Sequence, residues 1–271
     1  CLQCHATSRT SGVPGMFIRS VVPDQNSHPI LSAGTSLVTD STPLKDRWGG
    51  WYVSGFSDHP HLGNRWVPES EIDGVDFSPE VTKLEDLTSL IDTDKYLQPT
   101  SDIVALMVLE HQCRTHNLMT KAKMGFLRAR YFQESYSADE DLNSQDGMSW
   151  KTADSSAKEI VSAFLFEDEV DPGGDGVEGS DAFAKAFVGK GVKNAKGKSL
   201  RDLRLYGRIF KNRCSYMIHS MAFKGLPEMV KERVFFHLRS VLSEDLDNHL
   251  SKREKKALRG ILEETVPGFK N

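Results

Sequence analysis

The pattern of apolar and polar positions changes near residue 80. Before it, short apolar runs alternate with turn residues. MFIRSVV (16–22) lies between SGVPG and PDQN and reads as a strand. HPILSAG and SLVTD are short and strand-like. RWGGWYVSGF (47–56) has two glycines followed by aromatic and β-branched residues, which predicts a strand entered through a tight turn. HPHLGNRW follows as a loop rich in histidine and aromatics. Residues 1–10 are expected to form a short helix.

Beyond residue 80 the helical period takes over. LEDLTSLI predicts a short helix. After Pro99 a Thr-Ser-Asp cap opens a stretch with no glycine until 125 and no proline, so one long helix is expected over roughly 101–133. Ile103, Leu106, Met107, Val108 and Leu109 make its first turns apolar almost all round, the mark of a buried end. Further helices are predicted over 157–169, 181–190, 199–210, 227–244 and 251–266, the last capped by Ser251. Residues 134–149 and 171–181 read as loops. The second loop is acidic, but it lacks the EF-hand order of a Gly at position six and a Glu at twelve. The expected fold is mainly α, with a small β-containing N-terminal part and one long central helix. Residues 1–78 form one segment and 79–271 a helical domain, packed together as one unit.

The charge balance narrows the function. The 271 residues carry 34 Lys and Arg against 38 Asp and Glu, a net charge of −4. That gives no basic excess for nucleic acid and no polybasic block for a membrane surface. No apolar run reaches the ~18 residues a bilayer span needs.

The most specific chemistry stands at the first residues, CLQCH. Cys1, Cys4 and His5 have the spacing of a covalently attached haem c, with two thioethers to the macrocycle and an adjacent proximal imidazole. A zinc site would need a second ligand pair, and the chain has no other CxxC. A thioredoxin-like pair belongs between a strand and a helix. Haem c is attached outside the reducing cytosol, so the expectation is an exported protein in mature or truncated form, with further residues upstream of Cys1. The chain has four cysteines, leaving Cys113 and Cys214, which are either a disulfide or two buried thiols.

The residue trans to His5 decides the chemistry: a methionine raises the potential, a second histidine lowers it, and an open position admits small molecules. His111 leads the candidates because it lies on the apolar side of the long helix. His116 is five positions on, about 140° round the axis, so both cannot face one metal. His61, in a loop, a methionine, and an open site remain as alternatives. Arg47 can pair with a propionate, and Trp48, Trp51 and Tyr52 can stack along the macrocycle.

CLQCHATSRTSGVPG, RWGGWYVSG, HLGN, SDIVALMVLEHQCRTHNLM and the stretch from CSYMIHS to LPEMVKERV resemble an uncharacterised family of exported bacterial single-CxxCH, cytochrome c-like proteins. The likeness extends from Cys1 to about residue 265. It implies one haem c on Cys1, Cys4 and His5 and a periplasmic or other extracytoplasmic location. It also singles out Glu110, His111, Gln112, His116, Asn117 and His61. It implies no reaction. Electron transfer to a redox partner or a larger respiratory or photosynthetic complex is the leading expectation. A haem enzyme, a small-molecule sensor and an assembly subunit of a redox complex are the alternatives. No GxSxG or HExxH motif competes with the haem.

Overall fold

The computed structural model describes residues 5–68, 77–136 and 141–270. The long apolar-patterned stretch forms helix α1, Ile103–Tyr136. Asp102 starts it: one carboxylate oxygen accepts the Ala105 amide at 2.7 Å. The other oxygen accepts the amide of Ser180. Ser180 in turn caps α3, Asp181–Gly189, through the Phe183 amide. One side chain therefore fixes the starts of two helices.

Helix α2, Met148–Phe164, packs along α1. The contact is tied by Gln133 of α1, whose side-chain oxygen accepts the Ser149 amide at 3.1 Å and the Ser149 hydroxyl at 2.8 Å. The opposite side of α2 carries α5, Glu228–Val241. A short helix α4, Met221–Lys224, precedes α5. The last helix, α6, is Lys252–Thr265. Its capping box is complete: the Ser251 hydroxyl accepts the Glu254 amide, and the Glu254 carboxylate accepts the Ser251 amide at 3.0 Å.

Strand β1, Ile18–Val21, pairs antiparallel with β2, Thr35–Val38, placing Ile18 opposite Val38. These two residues pack on Cys113 of α1, with Trp51 and Leu109 alongside. A second small pair joins distant segments, β3 (Phe56–Ser57) with β4 (Val177–Glu178). Leu44, Trp48 and Val53 share one apolar core with Ile103, Met107, Phe164, Phe166 and Phe210. The N-terminal region and the helices are thus parts of one core. Among the described residues the protein is mainly helical, and no helix is long and apolar enough to cross a membrane.

Several predicted elements differ, HPILSAG among them, which holds a 3-10 turn at Leu31–Ala33. RWGGWYVSGF turns sharply instead of running as a strand. Trp48 sits at φ +67° and Gly50 at +81°, with the Trp51 amide bonded back to the Trp48 carbonyl. This turn sends the Trp48 indole into the core, while Ser54 and Gly55 bond to Ser101 and Leu84 rather than to a neighbouring strand. Residues 199–210 are a folded-back loop, with Leu203 bridged to Phe210 and Leu205 and Gly207 at positive φ. Residues 84–91 are turns. Helix α2 begins at Met148, ahead of the predicted 157. Cys113 and Cys214 are free buried thiols, and burial pushes the Cys214 thiol up to about 12.

Candidate functional site

Cys1 and Cys4 lie outside the described residues; His5 is the first residue within them. Its side chain is exposed, and Nδ1 lies 3.1 Å from the Gly15 carbonyl. A carbonyl oxygen only accepts, so Nδ1 carries the proton and Nε2 presents its lone pair. The Gly15 amide returns a bond to the His5 carbonyl at 2.9 Å. A ligating histidine is ordinarily oriented in this way, by its second nitrogen donating to a carbonyl. The Phe17 ring stands 5.7 Å from the imidazole.

This segment is tied to α1 by Asn117, whose amide donates to the Met16 carbonyl at 2.7 Å and whose carbonyl accepts the Met16 amide at 3.2 Å. A Cβ at Gly15 would collide with the Asn117 side chain, so glycine is required there. His116, beside Asn117 in the chain, is exposed. Met16 is also exposed. An oriented, accessible imidazole next to Cys-x-x-Cys fits a haem c.

His111 is placed differently from the expectation. It is fully buried, with Nδ1 donating to Asp40 Oδ2 at 2.8 Å and Nε2 bonded to the Ser215 hydroxyl at 2.6 Å. Its ring stacks on Phe166, centroids 4.3 Å apart. Neither ring nitrogen is open to iron. Arg114 approaches the other Asp40 oxygen at 2.6 Å. Against the cost of burial, His111 and Arg114 hold the Asp40 carboxyl well below the usual carboxylate range.

Next to His111 in the chain, Glu110 accepts from Arg47 Nη1 at 2.5 Å and from the Trp48 indole N–H at 2.6 Å. Arg47 also donates to the Thr42 and Asp40 carbonyls. Its side chain is buried and all three nitrogens are bonded, so no exposed donor is left for a propionate. Trp48 is fully buried. Trp51, half-buried, donates to the Arg19 carbonyl at 2.7 Å and braces the β1–β2 ribbon. Arg47, Trp48 and Trp51 thus join the N-terminal region to α1.

Ser215, His111 and Asp40 have the connectivity of a nucleophile relay. All three are fully buried, and Ser215 Oγ also caps the following turn by accepting the Met217 amide. A nucleophile sealed from solvent has no substrate, so the trio is a polar clasp between three chain segments. Asp40, Ser215, Arg114 and Phe166 have no signal in the sequence because no local spacing joins them.

The loop residue His61 is buried too. Nδ1 accepts the Gly63 amide at 3.0 Å, so the ring proton sits on Nε2 and points to Thr82 Oγ1, also 3.0 Å away. The ring meets Trp48 edge-on. Burial pushes His61 down to about 4 from 6.5. The unfolded chain therefore binds its proton first, and stability from this residue is lost as pH falls from 6.5 toward 4, by up to ~3 kcal/mol. Glu110 and Glu169 act oppositely: burial pushes both up to about 7, so their contribution is lost as pH rises from 4.5. The comparison must therefore be with a His61→Gln variant. Between pH 7 and 4.5 the denaturation midpoint should fall further in the parent protein; parallel profiles would refute a buried neutral His61.

No family model, no curated protein and no solved structure matches this chain. Among the described residues no group of three or more His, Cys, Asp or Glu side chains is arranged to hold a metal ion.

Proposed function

We propose that the protein is an exported monohaem c-type cytochrome that works in electron transfer. The observation that carries this reading is His5, adjacent to Cys1-x-x-Cys4, exposed, with Nδ1 held by the Gly15 carbonyl and Nε2 without a hydrogen-bond partner among the described residues. Cys1 and Cys4 would form the thioethers and His5 would supply the proximal nitrogen. The bound group supplies one-electron chemistry. The chain's own residues hold and orient the ligand: Gly15 fixes the imidazole, and Asn117 fixes Gly15 and Met16 against α1. With both nitrogens of His111 engaged, His116 would be the candidate second ligand, being exposed and one residue from the Asn117 clasp. A haem held by this exposed imidazole would suit docking to a redox partner or a larger complex.

The test is the visible and EPR spectrum of the purified protein, before and after cyanide or CO, in the parent and in His116→Ala. Covalent haem that is low-spin, and that binds added ligand only in His116→Ala, is the expected result. High-spin iron that binds ligand in the parent would replace electron transfer with a sensor or enzyme reading. Absence of covalent haem after expression with a haem-attachment system would end the cytochrome reading altogether.

A further inference from the structure

The chain is acidic overall, yet residues 190–213 hold nine Lys and Arg against one Asp. The folded-back loop gathers part of that charge into a cavity of about 390 Å³ against the start of α6. Lys198, Arg204, Arg208, Lys211, Arg213 and Arg253 line it. Among the described residues the only carboxylate in the lining is Glu254, which is already bonded to Arg208 Nη1 and to Ser251. Behind the cavity, Glu169 accepts the Ile209 amide at 2.8 Å. Five cations thus face one small space without an ion-pair partner among the described residues.

The guanidinium donors carry the argument further. The Nε atoms of Arg204, Arg208 and Arg213 are each buried and have no hydrogen-bond partner among the described residues. Native proteins rarely leave such donors unmet, because a buried unpaired N–H of a charged group is costly. Three arginines that line one cavity each carry such a donor. Two of the groups are anchored through other nitrogens, Arg208 Nη2 to the Lys211 carbonyl at 3.0 Å and Arg213 Nη1 toward the His249 carbonyl, while the Arg204 guanidinium lies over the Tyr206 ring. The Arg208 and Arg213 forks are therefore held in place before any ligand arrives. A guanidinium presents parallel N–H donors that match two oxygens of one tetrahedral oxyanion.

We propose that this pocket binds a phosphate-class oxyanion, either inorganic phosphate or the phosphoryl group of a small ester. The volume exceeds what a bare phosphate fills and falls within the range of small-ligand sites. Arg204, Arg208 and Arg213 receive the oxyanion; Lys198, Lys211 and Arg253 at the rim draw it in. This site makes no use of His5 and stands or falls independently of the haem.

Calorimetric titration with inorganic phosphate and with glycerol phosphate, against sodium chloride of equal ionic strength, tests it. Lys211 and Arg253 are exposed, so Lys211→Gln and Arg253→Gln keep the fold; Arg204→Gln probes a fork directly, and Lys45→Gln controls for charge alone. Saturable binding of phosphate or the ester is expected. It should weaken roughly tenfold or more in Arg204→Gln and measurably in the rim variants, with Lys45→Gln unchanged. Tighter binding of the ester would identify a phosphorylated small molecule as the source of the group; equal binding would identify the free anion. Heats equal to those of chloride, or unchanged by Arg204→Gln and both rim variants, would overturn the proposal. So would tight, salt-sensitive binding of an oligonucleotide with no saturable binding of phosphate, which would make the patch a polyanion surface.

Discussion

Replacing Arg47 with methionine is expected to lower the unfolding free energy by about 3–5 kcal/mol, the range for removing one partner of a buried ion pair. The guanidinium is 1% exposed and bonded to Glu110, Thr42 and Asp40. Methionine fills much of the volume, so the loss comes from a carboxylate stranded in the core rather than from a cavity. Burial already pushes Glu110 up to about 7, and without Arg47 only the Trp48 indole supports its charge. The variant should therefore recover stability on acidification, as Glu110 takes up a proton. A double variant, Arg47→Met with Glu110→Leu, should recover more than half of the loss, because a matched apolar pair has no stranded charge. Denaturant melts at pH 7 and pH 5 measure all three quantities. A loss under about 1 kcal/mol, the value typical of a surface pair, would show that Arg47 is not sealed.

The second large effect belongs to His111. His111→Ala removes the N–H that faces Asp40, unpairs the Ser215 hydroxyl and leaves a void against Phe166. A destabilisation of about 3–5 kcal/mol is expected from the broken network and the cavity together. If the proposed haem is attached, the visible and EPR spectra of this variant should match the parent's, which separates a clasp residue from a ligand. A high-spin, ligand-binding signal appearing only in the folded variant would make His111 a ligand instead. The acid limb follows from Asp40. Its carboxyl is held below its ordinary value of 3.8, so the stability it gives is complete above that value and is lost as pH falls below it. Asp40→Asn should flatten that limb.

The long helix and its buried first turns are legible in the sequence because propensity, capping and period agree there over more than thirty residues. The Ser251 cap is legible for the same local reason. Trp48 is recognisable as aromatic core material but not as the pivot of a turn, since a positive φ at tryptophan has no sequence signature. The pattern at 199–210 looks helical, yet its basic side chains gather round a cavity and the chain folds back on itself. His111 stands out as a histidine on an apolar face. Its partners Asp40 and Ser215 do not, because contact between them is created by the tertiary fold alone. His5 requires only its neighbours.

The clasp of Asp40, His111 and Ser215 also has a kinetic meaning. Its two bonds join residues 71 and 104 positions apart. Each closes a long loop, and the entropy of closure must be met before either bond forms. The first forty residues therefore cannot complete their polar core until helix α1 and the segment after Phe210 are already in place. Refolding should show α1 and α2 protected early, with the N-terminal ribbon and its tie to α1 acquired last. Until the segment after Phe210 has packed, the first forty residues would then stay accessible, and a protease should cut there before it cuts α1 or α2.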